Sequence, residues 1–491
     1  MTSCAPGEEM IAADPRTGAP DYRFKAASPA EVQETAQALR AAQPAWLALG
    51  VEGRAAALEA WSEAITAQRG AIIEALAKDT GRWFLSETEV DGAARNLKRW
   101  AKLARETLGA GMRGPEMQSA LIPSVRYQNQ FVPYTLAGFI SPWNFPVTLS
   151  LIDAAPALAA GCAALIKPSE VTPRFVEPLR ATLDTVPELK SVLAFVLGPG
   201  ATGQAVIENV DMVCFTGSVA TGRKVAEAAA RRFIPASLEL GGKDPVIVTA
   251  SADIEYATDA VIRASLSNTG QACLSIERVY VERPIYEAFV ARLTEKVKKI
   301  AINWPDRHKG HIGPLIHAPQ ADIIAEHLRD AVAKGAKVLC GGAIKTHGGG
   351  RWCPATVIID VNHDMALMKE ETFGPVIPVM PFDTADEAVA LANDTTFGLS
   401  GSVIAGSVEE AKPIAERINA GGISINDCGL TILTYEPEKN SFGLSGMGGS
   451  RMGPGSIQRF MRKKALIMQT GAPTSLDALE ESKAASIPVQ A

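Results

Sequence analysis

Short apolar runs alternate with helix-length segments through most of this chain, and no other feature limits its fold so strongly. A first series of alternations occupies residues 136–232, and a second, which includes a long helix expected at 254–270, runs from 244 to about 425. Apolar strands separated by helices predict parallel sheets that are buried on both faces. The chain has 491 residues, which exceeds the size of one core. We therefore expect an α/β protein with two doubly wound, Rossmann-like domains in tandem.

Three other regions depart from this pattern. Residues 29–78 and 88–108 have the period of helices and are rich in alanine, leucine, glutamate and arginine. Residues 119–140 change to β-branched and aromatic side chains in two runs around a polar centre at 128–130, which predicts a hairpin-like excursion. The tail after Gly471 is polar, and we expect it to be frayed.

The charge balance favours a small-molecule partner. The chain has 48 Lys and Arg against 54 Asp and Glu, a formal charge of -6, and no stripe of basic residues. Proteins that bind nucleic acid or anionic membranes concentrate positive charge on one face, so we expect neither partner. The start of the chain lacks a basic segment before an apolar one, so we expect no secretory signal. The longest apolar stretch, 149–166, contains Asp153 and Pro156, so we expect no membrane span.

The cysteines indicate a reducing environment. There are seven, an odd number, and no two of them form a CxxC pair. This spacing argues against a disulfide framework and against a zinc site. We expect a cytoplasmic location and no metal.

A glycine-rich turn between a strand and a helix, CFTGSVATGRKV at 214–225, is the nearest approach to a phosphate-binding motif. It differs from a P-loop because Arg223 and Lys224 stand where Lys and Ser or Thr would be needed to hold Mg²⁺. No GxGxxG fingerprint lies in the first series. The free amides at the start of the helix, with the Ser218 hydroxyl, could still receive a pyrophosphate.

Seven segments in a fixed order closely resemble the aldehyde dehydrogenase superfamily, and the resemblance covers about residues 15 to 468. The segments are FISPWNFPVTL (139–149), LIKPSEVTP (165–173), FTGSVATG (215–222), LELGGKDPVIV (238–248), GQACLSIERVYV (270–281), KEETFGPVIPV (369–379) and FGLSGMGGSRMG (442–453). Members of that family oxidise an aldehyde to a carboxylic acid with NAD(P) through a thiol. The resemblance therefore implies an NAD(P)-dependent enzyme.

The resemblance assigns three catalytic residues. A hydride cannot leave a planar aldehyde carbon until a nucleophile has made that carbon tetrahedral, and Cys273 matches the nucleophile. Asn144 matches the residue that holds the oxyanion together with the Cys273 amide, and Glu239 matches the base that activates water. Without the resemblance, each residue has a more common interpretation. A cysteine is more often a small buried hydrophobic residue, an asparagine between prolines is more often part of a turn, and a glutamate is more often a solvated charge.

The same resemblance implies the cofactor site. Lys167 and Glu170 match contacts to the adenosine ribose, and Glu371 matches the ligand of the nicotinamide ribose. A carboxylate accepts hydrogen bonds from a 2′-hydroxyl but repels a 2′-phosphate, so Glu170 favours NAD, while use of NADP stays open. The other expected cofactor contacts are Ser141, Trp143, Ser169, Gly217, Ser218 and Phe373.

The substrate channel is expected to be apolar. Its predicted walls are Phe145, Ile152 and Phe442, with Trp83 or Phe84. These side chains predict a hydrophobic or aromatic aldehyde. No arginine stands at an obvious position for a substrate carboxylate, which argues against semialdehyde acids. An acylating dehydrogenase that uses coenzyme A, a semialdehyde-specific enzyme and a non-catalytic binding homologue are the alternatives.

The resemblance also implies a domain division and an oligomer. An edge strand invites pairing with another subunit, so a homodimer or homotetramer is expected. The predicted parts are an NAD-binding domain (1–115 and 134–241), a catalytic domain (242–462), and an oligomerisation element with the C-terminal tail (116–133 and 463–491).

Overall fold

The computed structural model describes residues 7–108, 112–473 and 475–481. A two-stranded N-terminal hairpin is followed by four helices. These elements are β1 (Glu9–Ala13), β2 (Pro20–Lys25), α1 (Pro29–Ala48), α2 (Gly50–Ala67), α3 (Arg69–Thr80) and α4 (Phe84–Leu108). The helical prediction for 29–78 and 88–108 is confirmed. The first of these regions breaks at Leu49 and Gln68, and α4 begins before residue 88.

Local chemistry sets the ends of two of these helices. Ser28 Oγ accepts a hydrogen bond from Glu31 N at 3.2 Å, and the Glu31 carboxylate accepts one from Ser28 N at 2.8 Å. This reciprocal pair satisfies N–H groups that have no partner inside α1. Helix α3 ends at Gly81, whose φ of +69° is a left-handed conformation that glycine adopts without steric cost.

The predicted excursion is a strand pair with a different turn from the one expected. Strands β3 (Arg113–Gln118) and β4 (Val125–Pro133) pair antiparallel and are joined by residues 119–124. The polar centre at 128–130 therefore lies inside β4, not in the turn. The prediction failed here because Gly114 and Pro115 hide the strand character of β3.

The first sheet contains the first predicted series. Its strands are β5 (Leu136–Ile140), β6 (Ala163–Lys167), β7 (Leu193–Phe195), β8 (Met212–Thr216) and β9 (Ala236–Glu239). They are parallel and lie in the order β9-β8-β5-β6-β7. The helices are α5 (Pro146–Leu151), α6 (Ala154–Ala160), α7 (Val176–Ala181), α8 (Pro187–Lys190), α9 (Gly200–Asn209) and α10 (Val219–Arg231). Strands β6 and β7 lie on one side of β5, whereas β8 and β9 lie on the other side. This change of side opens a crevice between β5 and β8 at the carboxyl ends of those two strands.

The second sheet contains the second series. Its strands are β10 (Asp244–Val248), β11 (Ile276–Glu282), β12 (Lys337–Cys340), β15 (Thr356–Ile359), β16 (Val376–Phe382), β18 (Ser400–Ile404) and β19 (Gly422–Ile425), in the order β12-β15-β16-β11-β10-β18-β19. Only the pairing of β12 with β15 is antiparallel among these. The fold class, two doubly wound parallel sheets, is confirmed.

Shorter elements complete the region of the second sheet. The helices are α11 (Ile254–Leu266), α12 (Arg283–Val297), α13 (Gln320–Ala333), α14 (Ala366–Lys369), α15 (Ala385–Asn393), α16 (Val408–Ala415) and α17 (Leu430–Leu433). Two minor strand pairs are β13 (Lys345–His347) with β14 (Gly350–Trp352), and β17 (Phe397–Gly398) with β20 (Phe442–Gly443).

The chain returns to the first sheet before it ends. Strand β21 (Gly446–Met447) pairs with β9, and a 3₁₀ helix, Pro454–Phe460, packs Ile457 and Phe460 into the first core. Strand β22 (Met461–Gln469) then pairs along β4. The limits predicted for the domains stay a prediction.

Parts of two predictions lie outside the described residues. The tail predicted to be frayed is described only to residue 481 with a gap at 474, and the N-terminal residues before Gly7 are also outside. Within the described ranges, no helix is long and apolar enough to cross a membrane.

Candidate active site

The segment before Cys273 has an unusual backbone. Helix α11 ends at Leu266, so the helix predicted for 254–270 is too long by one turn. Asn268, Thr269 and Gly270 follow in left-handed conformations with φ of +53°, +60° and +70°. A β-branched residue with such a φ is strained, and strain of this kind persists only where the surroundings hold it.

Residues 313–316 supply that restraint. Thr269 Oγ1 accepts a hydrogen bond from Gly313 N at 2.9 Å and donates one to Gly313 O at 3.2 Å. The Gln271 side chain accepts from Ile316 N at 2.8 Å and donates to Pro314 O at 3.2 Å. These four hydrogen bonds fix the loop that presents Cys273.

Cys273 is partly exposed, whereas Cys162, Cys214, Cys353 and Cys428 are buried. Burial raises the pKa of the Cys273 thiol to about 12, and Glu371, Asp244 and Glu239 raise it further, while Arg451 opposes them. In the protein without ligands this residue is therefore a thiol at neutral pH. Cys340 is also partly exposed, but it lies on β12 at the far edge of the second sheet.

Asn144 is buried against the loop of Cys273. Its side chain donates from Nδ2 to Gln271 O at 3.0 Å. The backbone carbonyl oxygen of Asn144 accepts hydrogen bonds from Arg82 Nη2 at 3.1 Å and from Asn268 Nδ2 at 3.0 Å. The carboxyl end of β5 and the cysteine loop are therefore joined at this one asparagine.

Glu239 is the last residue of β9 and is partly exposed. It stands opposite Thr216 on β8 and Gly446 on β21. Ser441 Oγ donates a hydrogen bond to Glu239 Oε2 at 2.8 Å. The turn that follows Glu239 contacts the cysteine loop, since a Cβ at Gly242 would meet Cys273 O at 2.5 Å.

Glu371 lies against the turn that follows Glu239. Gly242 N donates to Glu371 Oε1 at 3.0 Å, and a Cβ at Gly241 would meet Glu371 Oε2 at 2.5 Å. Only glycine leaves room for the carboxylate at that distance. Burial raises the pKa of Glu371 to about 8, and the nearby Glu277 adds to the shift.

A buried ion pair holds the segment that carries Glu371. Lys243 Nζ lies 2.5 Å from Glu277 Oε2, and both side chains are almost fully buried. The Glu277 carboxylate also accepts hydrogen bonds from Thr372 N and Phe373 N, each at 2.8 Å. Neither member of the pair was among the predicted site residues.

The predicted cofactor residues fall into two groups. In the first, Trp143 lies edge-on to Phe373 with ring centroids 5.4 Å apart, and His317 lies 5.7 Å from the Trp143 ring. Lys167 Nζ is 2.7 Å from Glu170 Oε2. Burial disfavours ionisation of Glu170, but Lys167 outweighs it and lowers the pKa of that carboxyl.

The second group makes hydrogen bonds within the fold. Ser218 caps α10 through a 3.4 Å hydrogen bond from Thr221 N, and Gly217 N donates to Glu239 O at 3.1 Å. Ser141 Oγ lies 2.8 Å from Ser150 Oγ, and Ser169 Oγ accepts from Val171 N at 3.2 Å. The hydroxyls of Ser141 and Ser169 therefore make hydrogen bonds within the segments that follow β5 and β6.

The predicted channel walls have the following surroundings. The Phe145 ring packs against the Arg82 guanidinium at 5.2 Å, and Phe442 is 41% exposed at the start of β20. Trp83 and Phe84 line a cavity of about 480 Å³ together with Asn268 and Thr269 of the cysteine loop, and its lining does not include Phe145, Ile152 or Phe442.

Ser441, Arg451 and His317 were missed by the sequence analysis. Serine 441 directly precedes the motif FGLSGMGGSRMG, and Arg451 lies within it, so the motif marked their neighbourhood but not their contacts. His317 follows the segment Gly313–Ile316, which no predicted motif covered.

Comparison with known proteins decides the family. The model of the aldehyde dehydrogenase family matches residues 2–466. The chain belongs to the aldehyde dehydrogenase family. The family prediction is confirmed, and with it the general reaction, the NAD(P)-dependent oxidation of an aldehyde.

Individual relatives agree with this assignment. The structure of the provisionally named aldehyde dehydrogenase PutA from Anabaena variabilis is 50% identical, with a TM-score of 0.92 over 96% of this chain and 99% of that one. A provisionally named NADP+ succinate-semialdehyde dehydrogenase of Mycobacterium tuberculosis is 35% identical over 92% of this chain and 86% of its own. Betaine aldehyde dehydrogenase from Staphylococcus aureus, solved with NAD+, is 27% identical, with a TM-score of 0.89 over 96% and 94% of the two chains.

Proposed function

We propose that Cys273, Asn144 and Glu239 together oxidise a hydrophobic aldehyde to its carboxylic acid with NAD as the acceptor. The observation that carries the proposal is the 3.0 Å hydrogen bond from Asn144 Nδ2 to Gln271 O. It holds the asparagine amide two residues from the cysteine, with one N–H of that amide free to donate elsewhere. Few arrangements other than an oxyanion site need an amide fixed in this way beside a thiol.

The first half of the reaction uses Cys273 and Asn144. The Cys273 thiol releases its proton to solvent, its sulfur attacks the aldehyde carbon, and the carbonyl oxygen gains the negative charge. The free N–H of Asn144 and the Cys273 amide donate to that oxygen. Donors fixed in advance contribute a factor of about 10²–10³ each in rate. NAD supplies a hydride acceptor, and loss of the hydride leaves an acyl group in thioester linkage to Cys273.

The second half uses Glu239. Its carboxylate takes a proton from a water molecule, and the water oxygen attacks the thioester carbon. The carbon–sulfur bond breaks, the acid leaves, and the Cys273 sulfur takes the proton that Glu239 received from the water. The partial exposure of Glu239 leaves access for that water. The Ser441 hydrogen bond holds one carboxylate oxygen and leaves the other available.

The residues present fit a dinucleotide. The crevice between β5 and β8 lies where nucleotides bind in doubly wound sheets, and the start of α10 faces its edge. Gly241 leaves the space that lets Glu371 approach the turn. Lys167 and Glu170 would hold the adenosine ribose, and Glu371 with Phe373 would hold the nicotinamide half.

We propose NAD over NADP because of Glu170. Lys167 keeps this carboxyl ionised, and an ionised carboxylate repels a 2′-phosphate. The expected result for Glu170→Gln is a rise in kcat/KM with NADP relative to NAD. Glu177→Gln, on the exposed side of α7, is the matched control. An unchanged NADP to NAD ratio in Glu170→Gln would remove the basis for the preference.

We propose a hydrophobic substrate because apolar side chains are exposed in α17 and β20, which follow β19. Ile432 is 47% exposed, Leu433 63% and Phe442 41%. Phe145, one of the predicted channel walls, packs against the Arg82 guanidinium. Arg82 Nη2 lies 3.0 Å from Glu89 Oε1, so this arginine already has an acidic partner. The Glu89 carboxylate balances the charge of this guanidinium, while Arg82 Nε and Nη1 have no hydrogen-bond partner among the described residues.

A carboxylated aldehyde is the second candidate, and one relative's name supports it. The Mycobacterium tuberculosis relative is named for succinate semialdehyde. Comparing kcat/KM for hexanal, benzaldehyde and succinate semialdehyde, with and without coenzyme A, separates the candidates. A preference of more than tenfold for succinate semialdehyde would overturn the hydrophobic assignment, and a requirement for coenzyme A would overturn hydrolysis.

We also propose assembly as a homodimer or homotetramer, with the sheet of β3, β4 and β22 as the oligomerisation element. Ile467 on β22 is 72% exposed and Met117 on β3 49% exposed, which supports an interface there. The domain limits given above are part of this proposal. The six free thiols among the described residues fit a reducing cytoplasm.

Two variants test the catalytic roles. Cys273→Ala is expected to abolish aldehyde oxidation while NAD binding, followed by protein fluorescence, stays nearly unchanged. Cys340→Ala, at the other partly exposed thiol, is the control and should keep full activity. Glu239→Gln should give a rapid burst of NADH followed by slow turnover, since hydrolysis is impaired. Substantial oxidation by Cys273→Ala would refute the proposal.

A further inference from the structure

Arg82 and Glu89 form a buried ion pair next to the proposed oxyanion residue. Arg82 Nη2 lies 3.0 Å from Glu89 Oε1, and each side chain is 3% exposed. Glu89 lies on α4, and Arg82 lies just before that helix. Removing two charges from water is costly, so a buried ion pair adds little net stability compared with apolar residues of similar volume. The contacts of this pair, rather than its net energy, therefore indicate what it contributes.

The pair holds the segment from Asn144 to Thr148 at both ends. At one end, Arg82 Nη2 donates a hydrogen bond to Asn144 O at 3.1 Å. At the other end, Glu89 Oε2 accepts a hydrogen bond from Thr148 N at 3.1 Å, in the first turn of α5. Phe145, the residue before α5, makes no side-chain capping bond, so Glu89 supplies an acceptor for an N–H that has no partner within the helix. Between the two ends, the Phe145 ring packs against the Arg82 guanidinium.

The Asn144 carbonyl oxygen has a second donor, which comes from the cysteine loop. Asn268 Nδ2 donates to this oxygen at 3.0 Å and also to Gln271 O at 3.0 Å. Gln271 O in turn accepts from Asn144 Nδ2 at 3.0 Å. Asn144 is thus fixed through its backbone and its side chain at once, and the contact with Arg82 is the part that comes from outside the cysteine loop. A shift of the Asn144 backbone would move the side-chain N–H that is proposed to meet the oxyanion.

We propose that Arg82 and Glu89 are positioning residues of this enzyme: their ion pair fixes the Asn144 backbone, so that the asparagine amide is held where the oxyanion forms. The proposal rests on the role given above to Asn144. Neither Arg82 nor Glu89 is required to touch the substrate or the cofactor. A donor stabilises an oxyanion only from hydrogen-bond distance of the place where the charge develops. An amide that is displaced therefore loses rate even though it is still present.

The test is a double-mutant cycle on the first turnover, measured as the stopped-flow rate of NADH formation at saturating NAD and hexanal. Asn144→Ala removes the donor and should lower this rate by a factor of about 10²–10³. The paired variant, Arg82→Met with Glu89→Met, removes both charges and leaves neither unpaired. It should lower the rate about tenfold, because the amide is displaced but not lost. Added to Asn144→Ala, the paired change should lower the rate less than about twofold, since residues that act through one another are not additive.

A merely structural role would give a different result, because a general loosening of the fold lowers the rate by the same factor with or without the Asn144 side chain. If the paired variant does not fold, Arg82→Gln with Glu89→Gln replaces it, since a glutamine at residue 82 is too short to reach Asn144 O. Arg40→Met is the matched control. Arg40 also binds a carboxylate and a backbone carbonyl, those of Asp211 and Asn209, but Asp211 lies at the opposite end of β5. This variant should keep the first-turnover rate within about twofold.

The outcomes separate this proposal from the one before it. An unchanged first-turnover rate in the paired variant, or an equal loss with and without the Asn144 side chain, would overturn the positioning role. Neither result would bear on whether Asn144 holds the oxyanion, which the single Asn144→Ala variant decides. A normal first turnover in Asn144→Ala would refute that oxyanion role, and the positioning role would fail with it.

Discussion

Ser441 Oγ donates a hydrogen bond to Glu239 Oε2 across 2.8 Å and thereby joins the loop after α17 to the end of β9. The next residue, Phe442, begins β20 and is 41% exposed. A residue that contacts the proposed base is therefore the chain neighbour of a residue proposed to contact the substrate.

Ser441→Ala is expected to lower kcat about tenfold and to leave the KM for NAD unchanged. The reason is that a hydrogen bond to a charged group contributes about 1.5–3 kcal/mol, part of which here orients Glu239. Stopped-flow measurement of NADH should show a burst, as slowed hydrolysis leaves the thioester to accumulate. Ser441→Thr should restore most of kcat.

Ser450→Ala is the matched control, since Ser450 Oγ bonds to Met452 O and Lys439 N and makes no contact with Glu239. A loss of kcat as large in Ser450→Ala, or no burst in Ser441→Ala, would contradict this role.

Glu277→Gln is expected to destabilise the protein and weaken NAD binding together. The change leaves the Lys243 ammonium buried without its partner, which typically costs about 3–5 kcal/mol. It also weakens the hydrogen bonds that hold Thr372 N and Phe373 N next to Glu371. Urea denaturation gives the free energy of unfolding, and fluorescence titration gives the Kd for NAD. The exposed pair Arg283–Asp383 is the control, and Asp383→Asn should change neither quantity appreciably. Normal NAD binding by Glu277→Gln would show that this segment does not depend on the ion pair.

Gly270→Ala is expected to lower kcat several-fold and to lower the melting temperature. A Cβ at this position would meet Gly374 O at 2.2 Å, and the φ of +70° disfavours alanine. The loop must then shift, and it is the loop that presents Cys273. Gly70→Ala, in α3 with open space around its Cβ, should be neutral or slightly stabilising. Full activity in Gly270→Ala would mean that the loop position is not critical.

Asp244 is expected to make stability fall as pH rises. Burial raises the pKa of Asp244 to about 7, although Ser400 donates two hydrogen bonds to it and opposes the shift. The folded protein therefore binds a proton that the unfolded chain has lost between about pH 4 and 7. The stabilisation from this group is complete below about pH 4 and is lost as pH approaches 7.

Asp244→Asn removes this dependence. The free energy of unfolding of the variant, minus that of the original protein, should increase between pH 4 and 7 when both are measured by urea denaturation. Asp259→Asn, at an exposed position of α11, should show a constant difference. A constant difference for Asp244→Asn as well would place the proton on another group.

The sequence predicted the fold class and the neighbourhood of the site, because both depend on local patterns. The alternation of apolar strands and helices gave the two parallel sheets. Cys273, Asn144 and Glu239 each stand inside a short motif at the end of a strand or helix. The errors were also local: α11 ends one turn early, and the glycine and proline of β3 conceal a strand.

The partners of these residues could not be predicted in the same way. Ser441 is 202 positions from Glu239, and Arg451 is 235 positions from Thr216. No sequence period or motif links residues so far apart. The contacts form because the chain returns to β9 through β21. That Trp83 shares a cavity with Asn268 and Thr269 could likewise not be predicted, because only the packed molecule decides which cavity a side chain lines.

By itself, then, the sequence determined the order of the elements, the sheets they form and the chemical types of the residues proposed to react. Only the tertiary structure decided which charges meet: Arg451 and Arg459 on Asp153, the lysine on Glu277 and the serine on Glu239. The physical reason is that hydrophobic periodicity is a property of neighbouring residues. Hydrogen bonds and charge interactions depend on distances of a few ångströms, which distant segments reach only after the sheets have packed.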